Sequence, residues 1–223
     1  MQNQHDANTL AAMLDPGPMR LEMGIERLAS GALVVACRTA MRGCTGAMLD
    51  WWFTYFETDE HLRWWHPLDH RHHLGWDSNW EKGKNLIGAT IRATESLGDI
   101  PPVTATIKFL EPAEFFDAED LQRATANHVV SAIVCAGIGF GDDVVLDDAG
   151  VPTGGRMMHV ARDNHEGLVL RSRFVLGLDA HPVPDEIGLG LMRHCHSEFT
   201  YLAKALPSLF YGDATNPRPA DIW

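Results

Sequence analysis

The stretch DEIGLGLMRHCHSEFTYLAKALPSLF, residues 185–210, decides the fold class of this chain. Its apolar residues recur at helical spacing and form one stripe, made of Met192, Cys195, Phe199, Leu202 and Leu206. The pattern predicts a long amphipathic helix near the end of the sequence. Pro207 is expected to limit how far this helix runs, because proline lacks the backbone N–H that a helix interior requires.

The segments before this helix have the spacing of strands. In residues 85–96, one predicted strand face consists of Ile87, Ala89, Ile91, Ala93 and Glu95. Further strands are predicted at 32–39, 102–112, 128–140, 156–163 and 167–177, and a DNHEG turn joins the last two into a hairpin. Two short helices are predicted at 47–56 and 60–66, and the second is expected to stop at Pro67.

This order of elements predicts an α+β architecture, in which about five or six antiparallel strands have a long helix across one face. A cavity can open between the two layers if the sheet curves around the helix. The 223 residues, 45% of them apolar, are enough for one sizeable core, or for one domain with a small helical appendage.

Composition restricts the partners and the setting. A formal charge of −12 argues against nucleic acid and against an anionic membrane surface as partners. No stretch approaches ~18 consecutive apolar residues, so no membrane-spanning helix is expected. The first residues lack a basic and an apolar region, so no secretory signal is expected either. The four cysteines include no CxxC pair, which predicts a reducing, cytoplasmic location without a structural disulfide or a thiolate metal site.

The strongest local signal for a functional site is the pair His194 and Glu198, in RHCHSEF. Their i, i+4 spacing places both side chains on one helix face, which Ile187, Leu191 and Leu202 flank. A buried glutamate is costly unless it is paired or binds a metal ion, so this pair is a candidate for metal ligation. An exposed histidine–glutamate pair is the simpler alternative.

Glu95 and a histidine-rich stretch supply the other candidate ligands. Glu95 ends an apolar strand face, so it lies either at the rim in water or at a site. The stretch EHLRWWHPLDHRHH, residues 60–73, offers His66 and His70, unless the whole cluster is a solvated turn. One helix pair, one strand carboxylate and one histidine from this stretch make a His₂Glu₂ set, which suits Zn²⁺ and leaves Mn²⁺ or Fe²⁺ open.

Two predicted strands carry polar residues among apolar ones. His159 shares its strand face with Met157 and Ala161, which predicts that its side chain points into the cavity, although a core histidine is the alternative. Arg171 and Arg173 alternate with apolar residues, and we expect them to face water.

Four motifs carry a resemblance to a known family. LDWWF (49–53), WHPLDH (65–70), RSRFVLG (171–177) and the His194–Glu198 helix resemble the diacetylphloroglucinol hydrolase family, over roughly residues 45–205. The resemblance implies a Bet v 1-like helix-grip fold and a zinc-dependent hydrolase that cuts the bond between an acyl group and a phenolic ring. It also suggests a homodimer. We divide the chain into an N-terminal segment with a small helical part (1–45), a metal-binding hydrolase domain (46–210) and a C-terminal tail (211–223).

The resemblance also assigns roles to residues. It implies zinc ligation by His70, rather than His66, together with Glu95, His194 and Glu198, and it implies a substrate-side role for His159. The resemblance implies that the family usually has a tyrosine at the position of Leu62, and that some members have an active-site tyrosine at the position of Phe174.

The first functional hypothesis is therefore a zinc-dependent C–C hydrolase of an acylated phenol or a related aromatic ketone. The metal would polarise the acyl carbonyl or activate water, and His159 would transfer a proton, because an unperturbed imidazole titrates near neutral pH. A non-enzymatic carrier of the same fold and a zinc-dependent esterase are the alternatives.

Overall fold

The structure is a computed structural model that describes residues 10–179 and 181–212. Its strands are β1 (Gly24–Arg27), β2 (Leu33–Arg42), β3 (His70–Trp76), β4 (Thr90–Leu97), β5 (Ile100–Leu110), β6 (Ala132–Phe140), β7 (Gly155–Asn164) and β8 (Gly167–Leu176). Its helices are α1 (Gly46–Tyr55), α2 (Asp59–Trp65), α3 (Ala118–Ala126) and α4 (Asp185–Gly212). Two 3-10 turns, Ala12–Leu14 and Pro112–Glu114, complete the elements of these ranges.

The eight strands form one antiparallel sheet in the order β1-β2-β8-β7-β6-β5-β4-β3. Helix α4 packs against β1 and β2 near one edge and against β4 near the other, so the sheet curves around the helix. The predicted α+β helix-grip architecture is confirmed, with eight strands in place of the expected five or six. Helices α1 and α2 also contact α4, and α2 contacts β3. None of the helices in the described part of the chain is long and apolar enough to cross a membrane.

The main core lies between the concave face of the sheet and α4. The predicted helix stripe is buried in it: Cys195, Phe199, Leu202 and Leu206 have no exposed surface. A smaller apolar cluster lies on the convex face, where Met13 and Phe116 pack with the outer residues of β6 and β7. Helix α3, which covers this face, is an element that our sequence analysis does not predict, although Asp117 caps it by accepting hydrogen bonds from the N–H groups of its first turn.

Helix α4 continues through Pro207, so the expectation that this residue limits the helix is wrong. Proline at this position removes the hydrogen bond that the carbonyl of Ala203 would otherwise accept. The thiol of Cys44 lies 3.6 Å from that carbonyl oxygen and donates to it. Burial raises the pKa of Cys44 to about 12, so the thiol keeps its proton. A side chain from outside the helix thus replaces the missing backbone donor.

The predicted β7–β8 hairpin is confirmed, and its turn requires one glycine. The side chain of Asn164 accepts hydrogen bonds from the N–H groups of Glu166 and Gly167, at 2.8 and 3.1 Å. Gly167 has a φ of +145°, and a Cβ added to it would lie 2.5 Å from the carbonyl oxygen of Met41. Only glycine fits there, because both the backbone conformation and the neighbouring strand exclude a side chain.

The N-terminal segment is part of the same sheet and also covers its convex face. Strands β1 and β2, which lie within residues 1–45, pair with each other, and β2 pairs with β8. Arg171 and Arg173 are buried, so the expectation that they face water is wrong. Arg171 pairs with Glu22 at 2.7 Å, and Arg173 donates to the carbonyl of Leu21. The segment around residues 15–22 therefore lies over these two arginines, a contact that strand periodicity does not reveal.

The two predicted terminal segments are described only in part. Of the small N-terminal helical part, the described residues contain the 3-10 turn Ala12–Leu14. The predicted C-terminal tail starts inside α4, which ends at Gly212, and its remaining residues lie outside the described ranges.

Candidate metal centre

His70 begins the edge strand β3, directly after the turn that follows α2. Its Nδ1 atom donates to the carbonyl oxygen of Leu62 at 3.1 Å, which turns Nε2 toward the centre of the site. His70 pairs with Glu95 across β3 and β4, and its Nε2 atom lies 3.6 Å from Glu95 Oε2 and 3.6 Å from Glu198 Oε2. The sheet register therefore joins the first two candidate ligands.

Helix α4 brings the other two. His194 Nε2 lies 3.2 Å from Glu95 Oε2 and 3.9 Å from Glu198 Oε2, while its Nδ1 atom lies 3.1 Å from Asp69 Oδ2. Gly190, one turn earlier, allows this approach, because a Cβ there would lie 2.9 Å from Ile100 and 3.2 Å from Leu97 Cβ. All four residues predicted as ligands are thus brought together, and their ligand role stays a prediction.

The donor set fits a metal ion. Two imidazole nitrogens and two carboxylate oxygens face one point, and both histidines use Nδ1 for another hydrogen bond, which directs Nε2 to that point, where a metal ion would replace any proton that Nε2 carries. Ligands about 2.1 Å from a tetrahedral ion lie about 3.4 Å from one another. The ligand-atom distances of 3.2 to 3.9 Å agree with this value. His70, Glu95 and His194 form a buried group that can hold a metal ion.

The electrostatics of the site favour a positive charge at its centre. Burial by itself would raise the pKa of Glu95, but hydrogen bonds from His194 and His70 outweigh it and lower that pKa. Burial raises the pKa of Glu198 to about 8 against the attraction of His194. Burial also opposes protonation of His194, yet its hydrogen bonds to Asp69 and Glu95 raise its pKa to about 10. A bound cation would supply the charge that these carboxylates demand.

His66 lies beside the centre without being free to join it. Its Nδ1 atom accepts a hydrogen bond from the N–H of Asp69 at 3.0 Å, so Nε2 carries the proton and donates to Ser197 Oγ at 2.8 Å. Its ring stacks on that of His194 with centroids 4.9 Å apart. His66, Asp69 and His194 also approach one another closely enough to suggest a metal group. Because both ring nitrogens of His66 already make hydrogen bonds, we interpret this second group as residues that hold His194 in place and not as a second metal site.

One cavity opens over the four candidate ligands. Apart from those ligands and His159, every residue that lines it is apolar: Phe53, Phe56, Leu62, Trp65, Ile91, Ala93, Ile107, Phe109, Ile138, Phe140, Met157, Phe174 and Leu191. Leu62 and Phe174 are both on this wall. The cavity suits an apolar, aromatic compound that presents one polar group to the ligands.

His159 faces the same cavity from β7, as its strand position predicts. Its Nδ1 atom lies 2.7 Å from Ser172 Oγ, and its ring packs edge-on against Phe199. Burial lowers the pKa of His159 to about 3, so the expectation that it titrates near neutral pH is wrong. Among aromatic rings and away from any carboxylate partner, the charged form loses its hydration without compensation. His159 is a neutral imidazole at neutral pH.

Asp69 and Ser172 are polar residues of the site that our sequence analysis does not identify. Asp69 contacts His194, which is 125 positions away in the chain. The signal present in the sequence is its place directly before His70, and that position alone does not show where the carboxylate points.

The fold and the site together define a class: a helix-grip protein whose cavity brings together two histidines and two glutamates, of which His70, Glu95 and His194 form a group that can hold a metal ion. A family profile described as "DAPG hydrolase PhiG domain" matches residues 5–211. The chain belongs to the DAPG hydrolase PhiG domain family.

Individual relatives were also found. Phloretin hydrolase of Eubacterium ramulus is 28% identical over 209 residues, which cover 84% of this chain and 71% of that enzyme. Among solved structures, protein Ms6760 of Mycobacterium smegmatis has a TM-score of 0.46 at 11% identity, covering 84% of this chain and 98% of the other. Ara h 8.0201 also has a TM-score of 0.46 at 11% identity, with coverage of 79% and 99%.

Proposed function

We propose that this protein is a zinc-dependent hydrolase that cleaves the carbon–carbon bond between an acyl group and a phenolic ring. The observation that carries the proposal is the convergence of His70, Glu95, His194 and Glu198 in an otherwise apolar, aromatic cavity. Membership in the DAPG hydrolase PhiG domain family and the similarity to phloretin hydrolase support the same reaction class. The substrate would be a small aromatic ketone.

The four ligands would hold the metal through two Nε2 atoms and two carboxylates, a set that suits zinc. When bound, zinc supplies a Lewis acid that polarises the acyl carbonyl or lowers the pKa of a water molecule. The aromatic walls of the cavity, including Phe53 and Phe174, would hold the ring and exclude bulk water.

The overall reaction adds water across one bond. The acyl carbon takes the hydroxyl group and becomes a carboxylic acid, and the ring carbon takes hydrogen and becomes part of the free phenol. Cleavage is easier when the ring carbon is protonated first, because the ring then leaves as an enolate in place of an aryl carbanion. We assign this proton transfer to His159: the neutral imidazole takes a proton from a ring hydroxyl, and because burial lowers the pKa of His159 to about 3, the imidazolium so formed readily passes that proton on to the neighbouring carbon.

The first prediction concerns the ligands. Purified protein should contain about one zinc ion per chain, and His70→Ala, His194→Ala and Glu198→Gln should each lose most of it together with turnover. His72→Ala is the matched control, because His72 is exposed and its contact is Asp59 at 3.5 Å. Zinc is measured by atomic emission, and turnover by release of carboxylic acid from a mono-acylated benzenetriol. Full zinc retention in all three ligand variants would refute the site.

The same assay separates the alternatives. Phenyl acetate is included as an aryl ester, and faster turnover of this ester than of the acylphenol would make the protein an esterase. Binding of the acylphenol without zinc and without product would make it a carrier.

Two further properties are carried forward as proposals. Homodimerisation is suggested by the resemblance, and a cytoplasmic location by the cysteine usage. Sedimentation velocity of the purified protein tests the first, and fractionation of the producing cells tests the second.

A further inference from the structure

We propose that Asp69 is a positioning residue of the metal centre: its carboxylate orients His194 and joins the elements that carry the ligands. The inference rests on the proposed function, since it concerns the same centre. It adds a residue that is not among the four ligands and does not face the cavity.

One oxygen of Asp69 contacts residues from three separate parts of the fold. Oδ2 lies 3.1 Å from His194 Nδ1 on α4, and it accepts from the N–H of Gly98, in the β4–β5 turn, at 3.2 Å. His66 Nε2, from the residue that follows α2, lies 3.5 Å from the same oxygen. The side chain of Asp69 is buried, so these contacts take the place of its hydration.

The backbone of Asp69 binds the same elements. Its carbonyl accepts from the N–H of Ser96 at 2.9 Å, and Ser96 directly follows Glu95. Its own N–H donates to His66 Nδ1 at 3.0 Å, and the next residue in the chain is His70. Asp69 thus contacts one ligand, His194, directly. It precedes a second, His70, in the chain, and it binds Ser96, which follows the third, Glu95. A shift of this residue would move three of the four ligands relative to one another.

The two candidate histidine ligands differ in the acceptor of their Nδ1 hydrogen bond. His70 donates its Nδ1–H to the neutral carbonyl of Leu62, whereas His194 donates to a carboxylate. A carboxylate partner fixes the ring orientation and also raises the basicity of the nitrogen on the metal side. The charge of Asp69 should therefore strengthen metal binding beyond its effect on geometry.

The test uses two substitutions of Asp69. Asp69→Asn keeps an oxygen acceptor at the position of Oδ2 and removes the charge, whereas Asp69→Ala removes both. Outer-shell partners of ligating histidines typically contribute 10- to 100-fold in metal affinity. We expect the zinc dissociation constant to rise about tenfold in the asparagine variant and about 100-fold in the alanine variant.

The matched control is Asp77→Asn. Asp77 also accepts a hydrogen bond from a turn N–H, that of Asn79 at 3.0 Å, and no described contact joins it to a ligand. Zinc affinity is measured by competition with a chromophoric chelator, and the visible absorption of the Co²⁺-substituted protein reports the ligand field at the ion. We expect Asp77→Asn to match the wild type in both readouts, and Asp69→Asn to differ in both.

The outcomes separate this inference from the proposed function. If the wild type binds zinc and Asp69→Asn binds it equally well with an unchanged Co²⁺ spectrum, the positioning role is refuted and the metal centre stands. If Asp69→Asn lowers only the melting temperature, the residue is structural and the inference is also refuted. A wild type that binds neither metal refutes both proposals. Should the alanine variant fail to fold, the asparagine variant decides.

Discussion

At the scale of single residues, each imidazole near the cavity is fixed by the contact of its Nδ1 atom. Leu62 fixes His70 through a carbonyl and Asp69 fixes His194 through a carboxylate, so both rings turn Nε2 inward. His66 has the opposite arrangement, because its Nδ1 atom accepts a backbone N–H. The hydrogen bonds of these three neighbouring rings therefore give His70 and His194 one role and His66 another.

A prediction for His159 follows at this scale. His159→Gln should keep zinc and fold but lower turnover of the acylphenol by about 10²- to 10⁴-fold, the usual contribution of a general acid or base. Zinc content, circular dichroism and cleavage rate are measured on the same preparation. Ser172→Ala removes the partner of Nδ1 without removing the ring, and should cost less turnover. Wild-type turnover in His159→Gln would exclude the residue from the mechanism.

The candidate site shows which residues a sequence can identify. His194 and Glu198 are apparent because one helical turn separates them, and Glu95 because it interrupts an apolar strand face. The resemblance alone distinguishes His70 from His66 as the ligand. Asp69 has no such signal, since its partner is on α4 and its own position is a turn before β3. Local periodicity predicts the face of the element on which a side chain lies. Its hydrogen-bond partners depend on segments that are distant in the sequence.

At the scale of elements, the continuity of α4 depends on a residue outside the helix. Pro207 leaves the carbonyl of Ala203 without its helical donor, and the thiol of Cys44 supplies one from the turn before α1. The C-terminal third of α4 packs in the core through Leu206 and Phe210. The contact therefore supports the burial of this part of the helix.

The prediction for this element uses two substitutions of Cys44. Cys44→Ala should lower the free energy of unfolding by about 1 kcal/mol, because it removes the donor to a partly buried carbonyl. Cys44→Ser keeps a donor and should lose less, although its shorter C–O bond lengthens the contact. Chemical denaturation monitored by circular dichroism measures both. Equal losses in the two variants would show that packing, and not the hydrogen bond, is what Cys44 contributes.

Elements with a clear hydrophobic periodicity are predicted well from the sequence. Side chains whose burial depends on distant segments of the chain are not. The alternating residues of β5 and the stripe of α4 are found where their patterns indicate, whereas β4 follows its pattern only from Thr90 onward and residues 85–89 of the predicted strand precede it. Arg171 and Arg173 also alternate, but the segment over them converts an outward face into a buried one. Pro207 obeys its local rule only in part, because a thiol from another element compensates for it.

At the scale of the whole molecule, the buried imidazole of His159 makes folding sensitive to acid. Its pKa is lowered from 6.5 to about 3 by burial, so the unfolded chain binds this proton more tightly than the folded protein. The stabilisation is therefore complete above pH 6.5 and is lost as the pH falls toward 3. Between pH 6.5 and 4.5 this group alone should lower the free energy of unfolding by about 2 kcal/mol.

The measurement compares metal-free wild type with His159→Gln by urea denaturation across that range. The free energy of unfolding of the wild type should fall more steeply, by about 2 kcal/mol, while both share the changes due to other groups. His72→Gln, at an exposed site, should follow the wild type. Parallel pH profiles for wild type and His159→Gln would mean that the imidazole is protonated as easily in the folded protein as in the unfolded chain.

The edge position of β3 has a kinetic consequence for any ion held at the centre. His70 belongs to this strand, which among the described residues has β4 as its single neighbouring strand, and its register is irregular on both sides of His72 and His73. Freeing one edge strand requires less free energy than unfolding the whole sheet, and such local openings occur far more often. The residence time of the ion would then follow the opening of a few residues at the rim, while its affinity depends on the entire fold.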